Sequence, residues 1–127
     1  MFYLICQLIM WGFRYETIKQ QEKLNDYKIT ESQLQDSRKY KITMFRELDA
    51  VAFCESGHDN EASNDYSSAL GKYQIIDSTL ELCEKHLGRK LDRTIEADSQ
   101  ACAVWLWQRY GLRHWSASKW CWEDLIK

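Results

Sequence analysis

The chain has 127 residues, enough for one domain with a modest core. Apolar residues make up 45% of it and charged residues 28%, a balance that excludes a disordered chain. The net charge is -2, split as seven Lys/Arg against five Asp/Glu over residues 14–42 and ten against fourteen over 43–127. No basic patch follows from this, which argues against nucleic acid as a partner.

Residues 1–13 form an uncharged apolar run from Met1 to Phe13. It is shorter than the roughly 20 residues that span a bilayer core. Its length suits the apolar part of an export signal, but no Lys or Arg precedes it and no small-residue cleavage site follows. The segment is read as an imperfect signal or a short membrane anchor. The alternative is an apolar helix docked on the domain. Residues 14–42 are charged, with Ile18, Leu24, Ile29 and Leu34 thinly spaced, and read as a helical or flexible spacer without a sustained heptad.

Residues 43–127 are the expected folded domain. Phe45, Leu48, Val51, Ala52 and Glu55 recur at helical spacing, and Gly57 is a plausible stop. A polar stretch over 58–70 predicts an irregular loop, with a minimal hairpin at 62–76. Ser78 and Glu81 have the spacing of a capping box, opening a helix that carries Leu80, Cys83 and Leu87 on one face and closes at Gly88. A third helix is predicted from about Ile95 to Tyr110, with Cys102, Trp105, Leu106 and Tyr110 as core candidates. The tail gathers aromatics around Cys121.

The chain has six Trp, seven Tyr and four Phe. Such rings fill small cores, and they also stack on sugar rings. Cysteines stand at 6, 54, 83, 102 and 121. The four in the second part suit a disulfide framework and an oxidising compartment, or else buried reduced thiols. Their spacing fits no zinc knuckle, and the loop acids with His58 fit no EF-hand, so neither metal nor cofactor is expected.

The segment Cys54-Glu55-Ser56-Gly57, a polar loop, then Gly71-Lys72-Tyr73-Gln74-Ile75 and Ser78-Thr79 resembles the active-site segment of the lysozyme-like superfamily. Soluble lytic transglycosylases carry Glu-Ser-Gly, then Gly-Leu-Met-Gln-Ile and a Ser-Thr helix start. Resuscitation-promoting factors are more similar still, with Cys before the Glu and a second Cys beside Trp near the domain's end, here Cys121. The resemblance covers roughly residues 45–122.

It implies a mostly helical α+β, lysozyme-like domain that cleaves the β-1,4 bond between N-acetylmuramic acid and N-acetylglucosamine in peptidoglycan glycan strands, outside the cytoplasm. By that resemblance Glu55 is the catalytic acid, then base. Gln74, Tyr73, Ser56 and the loop carboxylate Asp65 are the substrate-binding candidates. A disulfide Cys54–Cys121 is favoured, which leaves Cys83–Cys102, although four cysteines admit three pairings. Animal-type lysozymes carry an Asp at the position of Ala69, and its absence favours a single-carboxylate transglycosylase over a hydrolase. The late Asn-Ala-Gly element of many transglycosylases is missing. Competing readings are a hydrolase of the same fold, a non-catalytic glycan-binding module, and a thiol nucleophile at Cys54 with His58.

Overall fold

The structure is a computed structural model. It describes the backbone of residues 2–127 and the side chains of residues 14–127 other than Ile29. The expected signal or anchor at residues 1–13 therefore lies outside the residues described in full. No helix among the described residues is long and apolar enough to cross a membrane.

The chain is mostly helical. Helix α1 spans Phe2–Ser56, α2 Asp77–Leu87, α3 Glu96–Tyr110 and α4 Lys119–Leu125, with a 3-10 segment Arg113–Ser118 before α4. The chain divides into two units, Met1–Tyr40 and Lys41–Lys127. In the first unit every described side chain from Arg14 onward is exposed, including Ile18, Leu24 and Leu34. No Gly or Pro interrupts residues 14–56, so nothing in the sequence breaks the helix there.

In the second unit the last turns of α1 bury Met44, Leu48, Val51 and Ala52, a single stripe at helical spacing. Phe45, expected on that stripe, is 49% exposed, because it stands one residue off it. The helix ends in a left-handed (αL) cap. Gly57 (φ +62°) donates its N–H to Phe53 O, and His58 (φ +68°) donates to Ala52 O.

The core gathers that stripe with Tyr73, Ile75, Cys83, Leu91, Cys102, Ala103, Leu106, Trp115 and Trp122. Tyr110, a core candidate from sequence, is exposed, and Trp105 is only half-buried against the core.

Two other local expectations are corrected. Helix α2 begins at Asp77 with Ile76 in the capping position and no side-chain cap, so Ser78 lies inside the first turn and cannot act in a capping box. The Asp77 N–H is satisfied from the loop instead, by Ser68 Oγ at 3.0 Å. The hairpin reduces to two isolated antiparallel bridges, Ser63 with Leu70 and Leu70 with Ile75. The left-handed residues Gly71 (φ +80°) and Gln74 (φ +49°) turn the chain before a ladder can extend. At Gly71 a Cβ would meet Arg93 O at 2.0 Å, so only glycine fits that approach.

Disulfides join Cys54 to Cys121 and Cys83 to Cys102. They bind the end of α1 to α4, and α2 to α3. They suit an oxidising, extracytoplasmic environment.

Candidate active site

Glu55 occupies the last turn of α1, half-buried. Its Oε1 accepts a hydrogen bond from Ser118 Oγ at 2.5 Å. Burial pushes the carboxyl above the ordinary carboxylate range, and the Ser118 hydroxyl pulls it partly back. No neighbouring charge contributes to the shift.

Ser118 Oγ also lies 3.1 Å from Trp115 O. A hydroxyl has one proton and can satisfy one of these acceptors at a time. It donates to Glu55 when the carboxyl is ionised. When Glu55 is protonated, the carboxyl can itself donate to Ser118 or outward, and the Ser118 proton turns to Trp115 O.

The Gly71–Ile75 segment passes beside this helix end and has almost no sheet ladder, so side chains satisfy its carbonyls. Ser56 Oγ donates to Lys72 O at 2.8 Å. Trp115 Nε1 donates to Tyr73 O at 2.9 Å. The guanidinium of Arg93 donates to Ile75 O at 2.6 Å and Ser68 O at 2.7 Å, and pairs with Asp77 Oδ1 at 2.8 Å. Trp122 Nε1 donates to Trp115 O at 2.8 Å, which fixes the ring system beneath Ser118.

These contacts revise the roles expected of the sequence candidates. The Ser56 hydroxyl is engaged on Lys72 O and not on the carboxylate, so it joins the end of α1 to the Gly71–Ile75 segment. Tyr73 is 4% exposed, its ring packed against Trp115 with centroids 6.4 Å apart, and it belongs to the core instead of lining a cleft. Its hydroxyl is pushed up to about 12, by burial first and then by Glu96 and Asp49.

Gln74 spends both amide protons on the loop, with Nε2 3.0 Å from Ala62 O and 3.0 Å from Gly71 O. These bonds offset the strain of a non-glycine residue at positive φ. They leave Oε1 as its remaining group, an acceptor for an amide N–H or a hydroxyl of a ligand.

Asp65 is exposed in the loop, and no described hydrogen bond or ion pair joins it to Glu55. The sulfur of Cys54 is in a disulfide, which removes the thiol nucleophile. No group of three or more His, Cys, Asp or Glu among the described residues could hold a metal ion.

Ser118, Trp115 and Arg93 were not singled out from sequence. One signal was available for Ser118. If Cys54 binds Cys121, the hydroxyl one turn before Cys121 is brought near the residue after Cys54. No protein-family model, curated protein or solved structure matches this chain.

Proposed function

We propose that the chain is a lytic transglycosylase with a lysozyme-like domain, cleaving the MurNAc–GlcNAc β-1,4 bond of peptidoglycan with Glu55 as its one catalytic carboxyl. The carrying observation is the environment of Glu55: half-buried, raised by desolvation, and moderated by one hydroxyl donor instead of a second acid. Proton delivery to a glycosidic oxygen needs a carboxyl whose protonated form is favoured, and burial shifts Glu55 in that direction.

After the bond breaks, the same carboxylate must take a proton back. In the single-acid route it takes it from the sugar's 6-hydroxyl as that oxygen closes on the anomeric carbon, and the product is a 1,6-anhydro end. The Ser118 hydroxyl is placed to stabilise the ionised form in that step. The position where animal-type lysozymes hold their second acid is Ala69, a buried methyl. Gln74 Oε1, held by its two loop bonds, suits the N–H of an N-acetyl group.

The test is digestion of purified sacculi followed by mass spectrometry of the released fragments. Anhydro-muramyl ends, lost in Glu55→Gln, are expected. Reducing ends would identify a hydrolase. Binding of chitooligosaccharides with no cleavage would identify a glycan-binding module.

A further inference from the structure

Helices α2 and α3 carry a second built surface. Leu82, Lys85 and His86 of α2 and Trp105, Arg109 and Tyr110 of α3 line a cavity of about 500 Å³. The His86 ring stacks on Trp105 with centroids 4.8 Å apart, and Tyr110 meets Trp105 edge-on at 6.0 Å. The Cys83–Cys102 disulfide lies one helical turn before both His86 and Trp105, and so fixes the separation of the two helices where the stack forms. The aromatic run continues from Tyr110 to His114 at 5.1 Å and from His114 to Trp115 at 6.5 Å, so the wall is packed through to the core. Burial holds His114 below its ordinary pKa.

The polar rim has one sign. Lys85 and Arg109 both line the cavity, and neither has an ion-pair or hydrogen-bond partner among the described residues. The nearby carboxylate of Glu84 is already engaged, by Lys90 Nζ at 2.7 Å and by the Leu91 N–H at 3.0 Å. Two unpaired cations beside rigid rings stand out in a region whose charge balance is acidic, ten Lys/Arg against fourteen Asp/Glu over residues 43–127.

We propose that this groove is a second glycan-binding site, for an anionic aminosugar strand. A pyranose face packs on the exposed Tyr110 ring, held in place by the His86–Trp105 stack, while carboxylates of the strand pair with Lys85 and Arg109. The ligand's identity rests on the reading of peptidoglycan as substrate. A site of this kind holds the wall polymer without taking part in the bond cleavage at Glu55.

The test uses the full chain carrying Glu55→Gln, so that strands stay intact, and titrates it calorimetrically with soluble uncrosslinked peptidoglycan strands and with neutral chitohexaose. Adding Lys85→Ala and Arg109→Ala should weaken binding of the anionic strands about fivefold, as expected for two exposed ion pairs. Chitohexaose affinity should stay within about twofold, the range of a change that touches no charge pair. His86→Ala should weaken both. Arg14→Ala with Lys28→Ala removes the same charge elsewhere and should change neither. Unchanged strand binding in the Lys85/Arg109 variant overturns the proposal, and so does an equal loss in the Arg14/Lys28 control. Lysis of sacculi by the unmodified chain is scored separately. Charge-dependent strand binding without lysis overturns the catalytic reading alone, and lysis with charge-independent binding overturns the groove alone.

Discussion

Ser118→Ala is the most direct probe of how Glu55 is set. The substitution removes the 2.5 Å donor to the carboxylate and leaves the backbone of the 3-10 segment in place. A hydrogen bond to a charged group contributes about 1.5–3 kcal/mol, and a neutral one about 0.5–1.5. The ionised form of Glu55 loses the first kind. The protonated form loses the second, because Ser118 can then donate to Trp115 O. The difference, about 1–1.5 kcal/mol, disfavours ionisation by a factor of about five to thirteen.

The general acid is active in its protonated state, so activity falls as pH rises through its pKa. Losing the donor raises that pKa further, and the alkaline limb of kcat/KM should move up by about one pH unit or slightly less. The assay is the pH profile of release of soluble fragments from sacculi, with Ser118→Thr as a control that keeps the hydroxyl and the original limb. A limb that stays in place, or moves to lower pH, in Ser118→Ala would refute the role assigned to Ser118.

Three further outcomes are expected. Glu55→Gln should abolish cleavage, yet at pH 7 its melting temperature should equal or exceed that of the parent. A carboxyl raised by burial stabilises the fold below its unfolded pKa, and that contribution is lost as pH rises through the folded value. The neutral amide avoids this loss and still offers Ser118 an acceptor, so the advantage should vanish in acid.

Tyr73 ionises near 12 in the fold against an ordinary value of 10.0. Stability should therefore fall between those values as the unfolded chain ionises first, and Tyr73→Phe should flatten that slope in denaturant melts taken at successive alkaline pH values. Replacing Cys54 and Cys121 by Ser opens a loop with a sequence separation of 67 residues, which costs about 4 kcal/mol by chain entropy. Chemical denaturation should show that loss. Activity should drop with it, because Ser118 is held beside Glu55 by the same tail.

How much of this was legible in the sequence differs from element to element. The buried stripe ending near Glu55, the glycine stop at Gly57 and the α2 and α3 helices follow from periodicity and from Gly57 and Gly88. The resemblance favoured Cys54 with Cys121, leaving Cys83 with Cys102 among three possible pairings, and the fold joins those pairs. The roles of Ser56, Tyr73 and Gln74 were not legible, because motif spacing states which residues are near one another and not which atoms are already engaged. Ser56 spends its proton on Lys72 O, and Gln74 spends both amide protons on Ala62 O and Gly71 O. Ser118 and Arg93 act across 63 and 16–25 positions of chain, where no local pattern carries the signal. The capping box failed for a tertiary reason, since Ser68 Oγ accepts the Asp77 N–H from outside the helix.

A single carboxyl that must give a proton and then recover one faces two opposed demands. Burial by itself favours the form of Glu55 that holds the proton. If a cation stood beside it, the acid would already be spent at neutral pH. Here desolvation is the larger influence and a neutral hydroxyl the smaller, and no charge takes part. The donor is also reversible, because Ser118 has Trp115 O as a second acceptor and can follow the proton without leaving an unsatisfied group. These surroundings, desolvation with one hydroxyl donor, are the ones the proposed single-acid route would use.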